Sequence, residues 1–191
     1  MKLLITRHGQ TEDNAHGITM GQRDSPLTAL GAGQAQGKVL ALKKIPHKIN
    51  RIYTSDLGRC VQTAKIISDA FGLQKAIPDK KLREISFGKY EGLPYNVIPQ
   101  IQGGYMKVRF PSGESNEIMA ARVIEKVNRI YEANKDECVL IVTHSGPIAA
   151  ILASYYGKNL GSTLNDKIGN EEVIELQIDS RLMYHFRLKE K

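Results

Sequence analysis

The sequence has no tryptophan, only two cysteines and no long apolar stretch, and each scarcity excludes a class of protein. No run of residues approaches the roughly 20 apolar positions that a membrane-spanning helix requires. The N-terminal residues lack the longer apolar core and the small-residue cleavage site of a secretory signal peptide. Cys60 and Cys138 are far apart and form no CxxC pair, so we expect neither a disulfide nor a zinc site. We therefore predict a cytoplasmic protein with two buried free thiols.

Acidic residues are also fewer than basic ones. The chain has 20 Asp and Glu but 27 Lys and Arg, which gives a net charge of +7. A basic protein can bind nucleic acid, an acidic membrane surface or small anions. The basic residues are spread along the chain and no nucleic-acid motif accompanies them. We expect a small phosphorylated metabolite as the partner, and neither nucleic acid nor a membrane.

Short apolar runs alternate with helical patterns along the 191 residues. Strands are predicted at residues 3–5, 51–54, 138–142, 172–178 and 182–188. Helices are predicted from a cap at Thr28 to about Lys44, from a cap at Ser55 or Asp56 to Phe71, from Ser115, and near Pro147. This alternation predicts an α/β fold. We expect three layers in the order α/β/α, with a mostly parallel central sheet. We expect one domain over residues 1–191, with a small cap-like insertion at about residues 92–114.

Polar residues follow three of the predicted strands: Arg7 with His8, Arg59, and His144 with Ser145. The carboxyl ends of parallel strands meet at one edge of a sheet, where ligands bind. Arginine presents a planar fork of donors that matches phosphate oxygens. A neutral imidazole nitrogen can attack phosphorus. These residues together predict a phosphoryl-transfer site.

A proton donor for the departing alkoxide is also required, and Glu84 is the best candidate. Each of these residues has a plainer interpretation as well. A lone histidine after a strand is more often structural than nucleophilic, and Glu84 could form an ion pair with Lys80 or Arg83. The other histidines are interpreted as ordinary loop, surface or strand residues: His16, His47 and His185.

Several ordered blocks between residue 3 and about residue 150 resemble the histidine phosphatase superfamily, the phosphoglycerate mutase-like enzymes. One RHG motif alone would be weak, but a whole set in the family's order makes chance improbable. The blocks are residues 6–11 with Asn14, residues 25–28 with Gly31, Gln34 and Ala35, residues 54–59 with 62–64, residues 82–85 with Gly88, Glu91 and Gly92, and finally Pro111, residues 113–115 and residues 143–144.

The resemblance implies a role for each matched residue. His8 would become phosphorylated, and Glu84 would be the proton donor. Hydrogen bonds would come from Asn14 and the backbone of Gly21, and no metal or cofactor would be needed. The phosphoryl group would be clamped by Arg7, Arg59 and His144.

This sequence departs from the family pattern at three positions. Ser145 replaces the usual Gly after the second histidine, where it could narrow the pocket or contact substrate. Cys60 replaces a frequent Ala, and Tyr90 a frequent Trp.

The resulting hypothesis is a phosphatase of phosphate monoesters, a member of the phosphatase branch of the family. The first alternative is a cofactor-dependent phosphoglycerate mutase, and the second is a catalytically silent module that binds a phosphorylated ligand. The stretch between Gly92 and Ser115 is short and holds only Lys107 and Arg109 as cations, which favours the phosphatase. The physiological ester and the oligomeric state stay open, and a homodimer is the assembly considered.

Overall fold

The computed structural model describes residues 1–166 and 168–184, and a five-stranded sheet forms its centre. The strands are β1 (Lys2–Arg7), β2 (Arg51–Thr54), β3 (Ile77–Pro78), β4 (Cys138–Thr143) and β5 (Val173–Gln177). Their order across the sheet is β3-β2-β4-β1-β5. The first four are parallel, and β5 pairs antiparallel with β1. The predicted α/β fold with a mostly parallel sheet is confirmed.

Helices connect and cover these strands, and two of them begin at a side-chain cap as predicted. The Thr28 hydroxyl accepts a hydrogen bond from the Gly31 amide, and the Ser115 hydroxyl accepts one from the Ile118 amide. Such caps satisfy amides that the first helical turn leaves unpaired. The helices are α1 (Glu12–Ala15), α2 (Ala29–Lys43), α3 (Gly58–Phe71), α4 (Asn116–Ala133), α5 (Ser145–Tyr156) and α6 (Leu160–Leu164), with 3-10 turns at Lys80–Leu82, Gly88–Tyr90 and Tyr95–Val97.

The strand β4 shows why three layers form. Its six residues are all buried, and alternate side chains point to opposite faces of the sheet. Val139 and Ile141 pack in the cluster that includes α4 and α5, whereas Leu140 and Val142 pack with α2 and α3. Burial on both faces accounts for the continuous apolar run of this strand.

The start of α3 corrects one expectation. The residue before the helix is Leu57, which provides no side-chain cap, so the predicted cap at Ser55 or Asp56 is wrong. Both side chains have other partners, because Asp56 pairs with Arg83 and the Ser55 hydroxyl lies 2.9 Å from a ring nitrogen of His144. The predicted end of the helix is confirmed, since Gly72 adopts the left-handed conformation there.

The predicted final strand at 182–188 is also wrong where the structure describes it. Residues 182–184 form no strand. Leu182 instead exchanges two hydrogen bonds with the side chain of Asn128 on α4 (2.7 and 3.0 Å), which satisfies its backbone without a neighbouring strand. Residues 185–188, including His185, lie outside the described residues.

Cys60 and Cys138 are free and buried, as predicted. None of the described helices combines the length and apolar character that crossing a membrane demands.

The expected insertion at residues 92–114 consists of turns around the 3-10 turn Tyr95–Val97. Pro94 forms an isolated bridge with Ile18, and Tyr105 stacks on Phe110 with ring centroids 3.8 Å apart. Its function as a cap stays a prediction.

Candidate active site

A cavity of about 530 Å3 opens at the carboxyl ends of the parallel strands. Residues from separate parts of the chain meet there because β1 and β4 are neighbours in the sheet and α3 begins just after β2. Six of the eight residues that the sequence nominates line this cavity, namely Arg7, His8, Gly21, Arg59, Glu84 and Ser145.

His8 is 2% exposed and has one ring nitrogen committed to the backbone. Its Nδ1 lies 2.7 Å from the carbonyl oxygen of Gly9. A carbonyl can only accept, so Nδ1 carries the proton and a neutral ring keeps its lone pair on Nε2. Burial, together with the charges of Arg59 and Arg7, holds the pKa of His8 well below its usual value of 6.5. His8 is therefore neutral at pH 7 and has the form that a nucleophile requires.

The Arg59 guanidinium is 1% exposed and is held by main-chain carbonyls. Its Nη1 donates to the Arg23 carbonyl and its Nη2 to the Gly21 carbonyl, both at 2.7 Å. Its nearest carboxylate among the described residues is the half-exposed Asp24, at 3.6 Å. The buried Nε of Arg59 has no hydrogen-bond partner among the described residues. An anion in the cavity would supply the acceptor that this donor lacks.

Arg7, at the end of β1, repeats this arrangement. Its Nη1 donates to the Ile168 carbonyl at 2.9 Å, and its buried Nε also lacks a partner in the described part of the chain. Two guanidiniums that are oriented by neutral carbonyls keep most of their positive charge for a ligand. This is the arrangement that a dianionic phosphate group requires.

Asp24 organises the helix start that carries Arg59, and sequence reasoning missed it. Its carboxylate accepts hydrogen bonds from the backbone amides of Gly58 and Arg59. It thus caps α3 from a distant loop, in place of the local cap that the sequence suggested. A contact over 34 positions leaves no local signal in the sequence.

Glu84 lies on the same cavity and is oriented by two backbone amides. One carboxylate oxygen accepts from the Ile85 amide at 2.9 Å, and the other from the Gly146 amide at 3.3 Å. No ion pair is formed by Glu84 with any residue that the structure describes, and Arg83 pairs with Asp56 at 2.6 Å. The plainer interpretation of Glu84 as the ion-pair partner of Arg83 is thus not supported.

Arg122 of α4 holds the main chain around Glu84, a role that the sequence analysis missed. Its guanidinium donates to the carbonyls of Lys81, Arg83 and Glu84 at 3.0, 2.6 and 2.7 Å. It also donates to both carboxylate oxygens of Glu114, each at 2.8 Å. The only sequence signal was a charged residue among the buried apolar positions of a helix.

The two remaining nominated residues do not line the cavity. His144 is fully buried, with its Nε2 2.9 Å from the Ser55 hydroxyl, and its ring meets that of His8 edge-on at 5.2 Å. Burial, and then the charge of Arg59, lowers the pKa of His144 well below 6.5. Asn14 accepts a hydrogen bond from the Thr11 amide and completes the cap of α1. Direct contact of His144 or Asn14 with a ligand stays a prediction.

Within residues 1–166 and 168–184, no three His, Cys, Asp or Glu side chains are grouped as metal ligands.

Comparisons with known proteins place the chain in one family. A family model described as the histidine phosphatase superfamily (branch 1) matches residues 3–188. A Yersinia enterocolitica protein named probable phosphoglycerate mutase GpmB is 36% identical over 169 residues, which cover 88% of this chain and 75% of that protein. Putative phosphoserine phosphatase 2 of Hydrogenobacter thermophilus is 34% identical over 197 residues, with 96% and 94% covered.

Solved structures also match this chain over most of its length. YhfR of Bacillus stearothermophilus matches with a TM-score of 0.82 and 27% identity, over 98% of this chain and 96% of that one. A mycobacterial glucosyl-3-phosphoglycerate phosphatase, solved as a complex with VO3, matches with a TM-score of 0.78 and 28% identity, over 91% of each chain.

Proposed function

The chain belongs to the histidine phosphatase superfamily, and from that premise we propose that it hydrolyses phosphate monoesters of small metabolites through a phosphohistidine on His8. The observation that carries the proposal is a neutral, buried His8 in one cavity with two guanidiniums whose Nε atoms lack partners among the described residues. Relatives and solved structures that are named phosphatases support the hydrolytic reaction.

In the first step, Nε2 of His8 attacks phosphorus in line with the leaving oxygen. The N–P bond forms as the P–O bond breaks, and Glu84 gives its proton to the departing alkoxide. Arg7 and Arg59 hold the equatorial oxygens, where charge accumulates in the transition state. In the second step, water attacks phosphorus while Glu84 takes the proton of that water. The N–P bond breaks, and inorganic phosphate and neutral His8 remain.

The mutase is the second candidate, because a relative with that name is 36% identical. A mutase must exclude water from its phosphorylated state and hold the carboxylate of phosphoglycerate. Among the described residues, the only Lys or Arg side chains on the cavity wall are Arg7 and Arg59. Of residues 92–114, Tyr95 alone lines the cavity. We propose that this segment is a short cap that leaves water access to the phosphohistidine, which favours hydrolysis.

A single assay series tests this choice. 3-Phosphoglycerate is supplied with catalytic 2,3-bisphosphoglycerate, and both 2-phosphoglycerate and free phosphate are followed, beside a panel of other phosphate esters in excess EDTA. We expect phosphate release from several esters, full activity in EDTA, and inhibition by vanadate, which can adopt the five-coordinate shape of the transition state. Isomerisation at ten times the rate of phosphate release would establish the mutase. No turnover of any ester would favour the silent binding module.

We also propose that the protein acts in the cytoplasm, with no cofactor and with neither nucleic acid nor a membrane as partner. A homodimer stays a prediction, which light scattering on the purified protein will test.

A further inference from the structure

Lys38 on α2 is a buried cation that the mechanism above does not use. Its side chain is 0% exposed, and its Nζ donates a hydrogen bond to the main-chain carbonyl of Arg7, the residue before the nucleophile. It forms no ion pair with any residue that the structure describes. Burying an ammonium without a paired carboxylate costs free energy of folding. An apolar side chain of similar length would fill the same space without that cost.

The groups around Lys38 come from several elements. Arg7 and His8 lie at the end of β1, Cys60 lies on α3, and Glu171 lies before β5. Burial lowers the pKa of Lys38 to about 8, the Arg7 charge adds to this shift, and the Glu171 carboxylate opposes it. Burial raises the pKa of the Cys60 thiol to about 12, so that group stays neutral where Lys38 titrates. Lys38 is thus mostly charged at pH 7 and loses its charge at mildly alkaline pH.

We propose that Lys38 is a positioning residue of the phosphate site, which fixes the main chain at Arg7 and supplies a third buried positive charge behind the two arginines. This role rests on the proposed function, because it requires that a phosphate dianion binds at Arg7 and Arg59. A bound dianion favours the protonated form of a nearby lysine. By linkage, the protonated lysine strengthens the binding of the dianion to the same extent. That gain offsets the folding cost of the buried charge.

The first test compares Lys38→Met with Lys43→Met, which removes an exposed lysine from the last turn of the same helix. Hydrolysis of p-nitrophenyl phosphate is measured from pH 6 to pH 10, with thermal unfolding of each variant. In the wild type and in Lys43→Met, we expect kcat/KM to fall as pH rises through about 8. In Lys38→Met we expect this alkaline limb to vanish and kcat/KM at pH 7 to drop about tenfold. The melting temperature of Lys38→Met should not fall, because the variant loses a buried charge.

A Lys38→Met enzyme with kcat/KM within twofold of wild type and the same alkaline limb would overturn the proposal. A purely structural role would lower the melting temperature and leave the pH profile of the folded fraction unchanged, and that result would overturn it equally.

The second test uses the wild type, in case Lys38→Met does not fold. Tungstate, a dianion at pH 8, is titrated calorimetrically in two buffers with different ionisation enthalpies. With a pKa of about 8, Lys38 is about half protonated in the free enzyme, so binding should take up about half a proton. Tungstate binding without proton uptake would overturn the role of Lys38 but leave the phosphate site standing. Absence of tungstate binding would overturn the phosphate site itself, and the role of Lys38 with it.

Discussion

The cavity has two walls that are built in different ways. The strand-end wall holds Arg7, His8 and Arg59, which the sheet and the start of α3 position, and its two arginines carry the positive charge of the site. The loop wall holds Glu84 and Tyr95, in a stretch whose only regular structure is short 3-10 turns. Strand ladders and the start of α3, which Asp24 caps, fix the first wall, whereas the loop of the second wall is held by side chains such as Arg122 and Glu91. The two walls should therefore respond differently to substitution and to pH.

Glu91 connects the two walls. Its carboxylate accepts hydrogen bonds from the Phe87 amide on the loop wall at 3.0 Å, and from the Gln22 and Arg23 amides at 3.0 and 3.1 Å. The same segment supplies the Gly21 and Arg23 carbonyls that hold Arg59. Glu91 thus joins the segment that holds Arg59 to the loop that follows Glu84.

The largest effect is expected on the strand-end wall, from His8→Ala. Because the covalent route disappears, activity on every ester should fall by about a thousandfold or more. Wild-type enzyme that is quenched with base after mixing with labelled substrate should carry acid-labile phosphate, and the variant should carry none. His47→Ala, which removes an exposed histidine, serves as the control and should match wild type in both measurements. More than a few per cent of residual activity in a folded His8→Ala protein would mean that the nucleophile is misassigned.

On the loop wall, Glu84→Gln should produce a smaller effect that depends on the leaving group. A phenolate departs with little help, whereas an alkoxide needs its proton. We expect phosphorylation by an alkyl phosphate to slow by about 100-fold or more, and that by p-nitrophenyl phosphate by less than about tenfold. Rapid-quench experiments measure the rate of phosphorylation of His8 with each ester, separately from the later hydrolysis of the phosphohistidine. Equal losses on both esters, with an unchanged Glu117→Gln control, would exclude Glu84 as the acid.

Arg122→Met tests whether the loop wall depends on side-chain anchors. The variant removes five hydrogen bonds, to three carbonyls and to the carboxylate of Glu114, of which the carboxylate keeps the Ser86 amide as a donor. We therefore expect a loss of roughly 2–3 kcal/mol in unfolding free energy. Loosening of Glu84 should slow alkyl phosphates about tenfold and p-nitrophenyl phosphate less.

Arg129→Met is the matched control for this prediction, because it removes an exposed ion pair with Glu125 from the same helix. It should cost less than about 1 kcal/mol and leave activity unchanged. If Arg122→Met lowered stability but slowed both esters equally, the anchor would not act through Glu84.

The difference between the walls also explains how much could be predicted from the sequence. Apolar runs and their alternation with helices indicate a parallel sheet, and its strand ends bring Arg7, His8 and the Arg59 helix together. The anchoring contacts of the loop wall join residues as far as 41 and 69 positions apart, from Lys81 to Arg122 and from Gln22 to Glu91. No periodicity marks such contacts, so Arg122 was missed. Asp24 on the strand-end wall was missed for the same reason, because its contact with Gly58 spans 34 positions. The wrong cap of α3 has the same cause, because Ser55 and Asp56 are occupied by distant partners.

The smallest expected effect is a difference in acid sensitivity between the walls. The pKa values of His8 and His144 lie well below 6.5 in the folded protein, mainly because both rings are buried. Below pH 6.5 the unfolded chain therefore binds protons that the folded chain does not, and the unfolding free energy falls as pH falls, by up to about 1.4 kcal/mol per pH unit for each histidine.

On the loop wall the unfolding free energy also falls as pH falls, but it does so over a lower range of pH. Burial raises the pKa of Glu114, but its hydrogen bonds and ion pair with Arg122 outweigh burial and hold that pKa below 4.5. The stability that Glu114 contributes is present above pH 4.5 and is lost as pH falls through its folded pKa. Urea unfolding at intervals from pH 8 to pH 5 will measure the histidine contribution, and points taken below pH 4.5 will measure that of Glu114. Between pH 6.5 and pH 5, His8→Asn should reduce the slope by up to about 1.4 kcal/mol per pH unit, and Glu114→Gln should leave it unchanged. A wild-type slope in folded His8→Asn would mean that His8 accepts a proton in the native state, and the strand-end wall would then lack its neutral nucleophile at mildly acidic pH.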